Sequence, residues 1–199
     1  LEDKAFPVAE LEAAGYHAVF IGQKTYNGVA ILSPPPIDEA SVVRNIPGFE
    51  DEQKRIIAAT IAGVRVVCGY FPNGQAVGSD KFEYKLRWLA ALTDWLRAEL
   101  KSHERLVLAG DFNIAPEDRD AHSDWKDEIH VSEPERAAFR ALQALGLIGA
   151  FRLFEQPERA FSWWDYRMMA FRRNFGLRID HLLVSPALRS ACRSCVVDK

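Results

Sequence analysis

Leu106-Val107-Leu108-Ala109-Gly110-Asp111-Phe112-Asn113 is the stretch from which the fold is read. Its first four residues are a short, continuous apolar run, the pattern of a strand buried on both faces. Gly110 ends the run, and an acid and an amide follow two residues apart. If the chain stays extended, the side chains of Asp111 and Asn113 point the same way. Upstream, Trp88, Leu89, Leu92, Trp95, Leu96 and Leu100 recur at three- and four-residue spacings. That stripe predicts a helix over Lys81 to Lys101. Downstream, Ser132-Glu133-Pro134-Glu135 reads as a capping box that opens a helix running to Leu145 and stopping at Gly146. Ile179 to Val184 reads as a strand closed by Ser185-Pro186.

The rest of the chain fits the same scheme. Phe6 to Ala14 suggests a short helix stopped by Gly15. His17 to Ile21 and Gly28 to Leu32 read as strands. Arg55 to Ala62 and Arg65 to Phe71 read as a hairpin around Gly63, rich in Ile and Val. Strand pairs, then helix, strand, helix and strand imply sheets covered by helices, an α+β protein. Its 199 residues suit one domain over 1–199. Pro34-Pro35-Pro36 is a stiff break too short to separate domains.

Composition removes several classes. Apolar residues make up 48% and charged residues 27%, ordinary globular proportions that exclude disorder. No apolar run approaches the roughly 20 residues of a membrane span. The net charge of −3 excludes a wholly basic coat protein but allows a local basic patch. Cys68, Cys192 and Cys195 are too few for a disulfide framework and point to a reducing compartment, hence the cytoplasm. Cys192-x-x-Cys195 has no second Cys/His pair at finger spacing, so two incidental thiols is the simpler reading. The first residue is Leu1 and the last residues follow an apolar stretch, so both ends read as cut.

Four constellations carry possible chemistry. Asp111 and Asn113 suit proton transfer or metal contact together with orientation of water or a phosphate oxygen. An Asx turn closing a strand explains the same residues. In Gly69-Tyr70-Phe71-Pro72-Asn73-Gly74, Tyr70 and Asn73 can donate to a phosphate, or they are an aromatic strand end and a turn. From 161 to 180, Arg167, Arg172, Arg173 and Arg178 lie among six aromatic residues with a sum of +2, whereas 111–135 sums to −7. Basic charge beside aromatics suits phosphate contacts and stacking on nucleic acid, as well as an aromatic core with solvated arginines. Asp180, near the start of a strand, needs a partner: a His, a metal, or an ion pair with Arg178. His181 alternates to the other face and forms no dyad with it. His17, His103, His122 and His130 share no spacing and are assigned structural or solvated roles.

Taken in order, these stretches resemble the exonuclease III family of abasic-site DNA endonucleases, within the wider endonuclease/exonuclease/phosphatase fold. Thr25 to Leu32 is similar to an early strand of that family. Gly69 to Gly74 is similar to its tyrosine motif, and Gly110 to Asn113 to its Gly-Asp-x-Asn motif. Phe161 to Arg167 and Gly176 to Asp180 resemble its lesion-pocket and Arg-[Ile/Leu]-Asp motifs. The resemblance covers essentially the whole chain. It implies two mixed β-sheets packed face to face with helices outside, a four-layer sandwich. It implies hydrolysis of a phosphodiester 5′ to an abasic site in duplex DNA, with 3′-to-5′ exonuclease and 3′-phosphatase activity, assisted by Mg2+ or Mn2+.

Carried over by position, Asp111 orients or deprotonates water, or protonates the leaving group. Asn113 orients water and a phosphate oxygen, Tyr70 contacts phosphate, and Asp180 holds a catalytic imidazole. Trp163 and Leu177 line a niche for the flipped abasic sugar. Asn73, Asn174 and Arg167 contact DNA. The main metal-binding Glu of the family and its last Ser-Asp-His motif find no counterpart in this sequence, so no metal ligand is assigned. The 199 residues alone are expected to be nearly inactive and destabilised. The resemblance also implies a monomer acting on duplex DNA with abasic sites or 3′ ends, cytoplasmic and nucleoid-associated. Two other readings compete: a same-fold phosphatase or RNA nuclease, and a DNA-binding remnant without turnover.

Overall fold

Ile56–Ile61 and Val64–Tyr70 pair antiparallel as the sequence predicts. The two residues between them, Ala62 and Gly63, both have positive φ, the twist a two-residue hairpin needs. The computed structural model describes residues 1–126 and 128–198. In chain order the elements are α1 (Val8–Ala13), β1 (His17–Ile21), β2 (Val29–Ser33), β3 (Ile37–Arg44), β4 (Ile56–Ile61) and β5 (Val64–Tyr70). There follow α2 (Asp80–Ser102), β6 (Leu106–Asp111), α3 (Glu133–Ala144), β7 (Ile148–Gly149) and β8 (Trp163–Trp164). The last elements named here are α4 (Ala170–Arg173), β9 (Gly176–Leu177) and β10 (Asp180–Val184).

The main sheet has six strands in the order β3-β4-β5-β6-β10-β7. β5 and β6 run parallel, which requires a crossover, and α2 supplies it. Ser79 caps α2 by accepting from the Phe82 N–H at 3.2 Å. The stripe of α2 (Trp88, Leu89, Leu92 and Leu96) buries against Ile56, Ala58, Val67, Leu106, Leu108 and Leu183 of the sheet, with Phe139 and Leu142 of α3. The other face of β4, Ile57 and Ala59, packs against Val19, Ile21 and Ile31 of the β1–β2 pair. On the outside of that pair Phe6 stacks on Phe20 with centroids 3.9 Å apart. Helical segment, small sheet, large sheet and helices thus form four layers, the α+β sandwich expected.

β3 and β6 differ from the sequence reading. β3 was not anticipated, because Ile37-Asp-Glu-Ala-Ser41 alternates weakly and carries acids. It is an edge strand with a register shift between Asp38 and Val43, the kind of charged, irregular edge that resists strand addition. β6 is not buried on both faces. Leu106 and Leu108 are fully buried under α2, but Val107 and Ala109 are half-buried on the opposite face. The three cysteines are unpaired, and among the described residues no helix is long and apolar enough to cross a membrane.

Candidate active site

The strand order places three polar side chains on one level. Tyr70, at the end of β5, is in register with Asp111 at the end of β6. Asp111 in turn is in register with Asp180 at the start of β10. Directly paired residues in a sheet share a face, and this face is the one turned away from α2 and α3. Two glycines allow the strands to close up here. Gly110 has φ +146, and a Cβ on it would overlap the Gly69 carbonyl oxygen.

Asn113 reaches the same place by leaving the extended path. Its φ is +51, left-handed. Its N–H donates to Asp111 Oδ1 at 2.9 Å and its amide Nδ2 to Asp111 Oδ2 at 3.2 Å and to Phe71 O at 3.1 Å. The Asx turn and the functional pairing, read from sequence as alternatives, are one structure. Asn73 Nδ2 donates to Asn113 Oδ1 at 3.3 Å. Asn73 thereby joins the corner, and its own Oδ1 accepts from the Gln75 N–H at 3.0 Å.

The electrostatics favour proton exchange at Asp111. Burial pushes its carboxyl up to about 6, helped by the charge of Asp180 and opposed by the Asn113 N–H, Lys85 and Arg55. Asp180 is also pushed up, by partial removal of its carboxyl from water, while a hydrogen bond with Ser162 pulls it down. A carboxyl that titrates near 6 in a hydrogen-bonded corner can serve as a general base or acid near neutral pH.

Several partners were not visible in the sequence. Arg55 lies over the Tyr70 ring at 5.0 Å and donates to Tyr70 O at 3.1 Å. The sequence gives His130 a structural or solvated role. The residue is buried, with Nδ1 2.7 Å from Asn113 O and Nε2 3.5 Å from Asn73 Nδ2. Because a carbonyl only accepts, Nδ1 carries the proton and Nε2 accepts from the Asn73 amide. Burial and the Lys85 charge hold this imidazole neutral, down to about 4.

The predicted ion pair of Asp180 with Arg178 does not form. Arg178 is buried on the other side and its Nε donates to Asp120 at 2.8 Å. Its Nη1 donates to His181 Nδ1 at 2.8 Å. Asp180 instead meets Ser162, whose Oγ accepts from the Ile179 and Asp180 N–H groups at 3.1 Å each. His181 faces Phe112 and Phe139 away from Asp180, as strand alternation predicts.

Ser162 leads into the aromatic and basic segment. β8 and β9 pair Trp163 with Leu177, and the loop between them projects from the protein. Tyr166, Met168, Met169 and Phe171 are exposed, and Met168 and Met169 have positive φ. Arg167 is exposed and pairs with Asp165, Nη2 to Oδ2 at 2.7 Å, pulling that carboxyl down to about 2. Leu177 is fully buried in a cluster with Ala121, Val131 and Ile179, against which Trp125 and Trp163 pack. Asn174 is occupied within the loop: Trp164 Nε1 donates to its Oδ1 at 3.2 Å, and its Nδ2 donates to Arg159 O at 3.1 Å.

Asp111 and Asp180 are a carboxylate pair. Among the described residues no group of three or more His, Cys, Asp and Glu side chains is placed to hold a metal ion. The pair by itself is therefore not a metal cage.

Residues 2–199 match the sequence profile of the Endonuclease/Exonuclease/phosphatase family. The chain is 37% identical to exodeoxyribonuclease III of Haemophilus influenzae over 208 residues, covering 96% of this chain and 76% of that protein. It superposes with a TM-score of 0.92 on the 3′ phosphatase NExo from Neisseria, solved with a product DNA hairpin. Identity there is 46%, over 96% of this chain and 74% of NExo. An AP endonuclease from Archaeoglobus fulgidus superposes at 0.88 with 36% identity, over 96% of this chain and 74% of the other.

Proposed function

The chain belongs to the endonuclease/exonuclease/phosphatase family as an exodeoxyribonuclease III-like nuclease, and from that premise we propose that it hydrolyses phosphate esters of duplex DNA at abasic sites and at 3′ ends. The observation that carries this reading is the alignment of Tyr70, Asp111 and Asp180 on three neighbouring strands, with Asn113 folded back onto Asp111.

The chemistry follows from that corner. Both oxygens of Asp111 accept hydrogen bonds from Asn113, which favours the anion and suits it to take a proton from water; as the water oxygen bonds to phosphorus, the bond from phosphorus to the 3′ sugar oxygen breaks, and that oxygen leaves as the alcohol after taking a proton from solvent. The side-chain oxygens of Asn73 and Asn113 keep accepting capacity with which to orient the attacking water; contact of Asn113 with a phosphate oxygen rests on the family resemblance, since its two amide protons go to Phe71 O and Asp111 Oδ2. The Tyr70 phenol, backed by the Arg55 cation, donates to another phosphate oxygen. The role of Asp180 as holder of an imidazole rests on the family resemblance alone. The exposed loop carries Tyr166, Met168, Phe171 and three arginines, Arg167, Arg172 and Arg173. It suits a duplex: arginines on phosphates and apolar side chains against bases. Trp163 is the residue proposed to meet a flipped sugar, over buried Leu177.

Nucleases of this family generally depend on a divalent metal, and Mg2+ or Mn2+ is the proposed cofactor. A monomer in the cytoplasm, in use at the nucleoid, completes the proposal.

One observation favours 3′-end processing over internal incision. The 3′ phosphatase NExo is 46% identical to this chain, whereas the archaeal AP endonuclease is 36% identical. A substrate panel tests both. The full-length protein is expected to cut a duplex with one abasic site or release phosphate from a 3′-phosphate nick, with loss of activity in EDTA. Hydrolysis of inositol phosphates or RNA tails with no action on duplex DNA would overturn the proposal.

A further inference from the structure

Lys85 of α2 and Glu135 of α3 are both fully buried, and stability does not explain them. A buried ion pair is often no better than apolar residues of the same volume. What distinguishes Lys85 is where its three protons go. One goes to Glu135, one to Asn113 O at 2.7 Å and one to Asn73 O at 3.2 Å. These two carbonyls belong to the residues whose side-chain amides meet beside Asp111. The stem passes directly under the tyrosine-motif loop: a Cβ on Gly74, whose φ is +90, would lie 3.1 Å from Lys85 Cδ. Glu135 is equally committed. Besides Lys85 it accepts from the N–H of His130 at 3.1 Å, and from the N–H and hydroxyl of Ser132 at 3.2 and 2.5 Å. One ammonium therefore ties the loop after β5 to the loop after β6, and its counter-ion ties both to the loop that carries His130.

We propose that Lys85 is a positioning residue for phosphoester hydrolysis: by gripping the carbonyls of Asn73 and Asn113 together, it sets the angle at which the Asn113 amide meets Asp111 and the Asn73 amide meets Asn113. It holds Asn113 in its left-handed conformation and touches no substrate. The inference rests on the reading of Asn113 as a site residue.

The test uses the full-length protein with Lys85→Met/Glu135→Gln, which removes the grip, leaves no unpaired buried charge and keeps a capping-box residue. Lys85→Arg is the conservative control. In the double variant kcat on duplex DNA is expected to fall on the order of ten- to hundredfold, since small misplacements of reacting groups have that effect. KM is expected to change less than about threefold, and the NMR resonances of the Asn73 and Asn113 side-chain amides to move. Lys85→Arg is expected to fall between. A folded double variant with wild-type kcat and unmoved amide resonances overturns the proposal. If the double variant does not fold, Lys85→Arg decides, and wild-type kcat with unmoved resonances overturns it. If wild-type protein cuts no DNA, the nuclease reading fails, and the amide resonances alone judge Lys85.

Discussion

Asp111 is the residue at which function and stability oppose each other. Its carboxyl titrates near 6 in the folded protein against an ordinary value of 3.8. The fold thus favours the protonated form, and ionising it above pH 6 costs stability relative to the unfolded chain. Asp111→Asn removes that cost. It is expected to stabilise the protein at pH 7.5 by up to about 3 kcal/mol, and by nothing below pH ~4 where both states are protonated. Thermal melts at the two pH values check this. The same pKa separates the two roles left open by the sequence. As a base, Asp111 gives a kcat/KM that rises with pH through about 6; as an acid, one that falls. The two hydrogen bonds from Asn113 to the anion predict the rise. At this scale the sequence was informative where a motif stands at a strand end: Tyr70, Asp111, Asn113 and Asp180 converge. It did not show the partners of Lys85, Arg55 and His130, which lie 12 to 57 residues away. It misassigned Arg178, because proximity in sequence suggested Asp180 while the strand turned the guanidinium to Asp120.

The elements separate those that hold the site from those that reach for substrate. Gly110 lies in register with Gly69 of β5, and Gly110→Ala places a Cβ in overlap with the Gly69 carbonyl oxygen at φ +146. A loss of about 3 kcal/mol or more is expected in urea melts. The loop between β8 and β9 behaves oppositely. Tyr166, Met168 and Phe171 are exposed, so replacing Tyr166 and Met168 by Ser leaves the melting temperature almost unchanged and weakens duplex binding. Arg172→Ala and Arg173→Ala each lower the salt dependence of DNA affinity by about one counterion, measured by titration at several ionic strengths. Helices α2 and α3 were legible because their apolar spacing and caps are local properties. β3 was not, because an edge strand needs few apolar residues and its acids serve solubility.

In the molecule as a whole, two buried imidazoles set the response to acid. Burial and the Arg178 charge push His181 down to about 3, and burial and the Lys85 charge push His130 down to about 4. Both are neutral when folded and would be protonated when unfolded below about 6.5, so their contribution is lost as pH falls from 6.5. At pH 5 each costs about 2 kcal/mol, and the raised Asp111 returns only about 1 kcal/mol. Denaturant midpoints are therefore expected to fall between pH 7 and pH 5, and a midpoint that rises would contradict these burials. The layered architecture was legible from the order of apolar runs. The half-buried side of β6 was not, since an apolar run looks the same whichever face it hides. That half-buried side is also where Tyr70, Asp111 and Asp180 come into register, and hydrolysis depends on what they do together. The most direct test is single-turnover cleavage, in Mg2+, of a duplex carrying an abasic site and of one ending in a 3′-phosphate, by full-length wild-type protein and Asp111→Asn. Cleavage of either duplex by wild type, reduced on the order of a thousandfold in a variant that is at least as stable and still binds DNA, is the predicted result. Equal cleavage by both proteins, or none by wild type on either duplex, would contradict it.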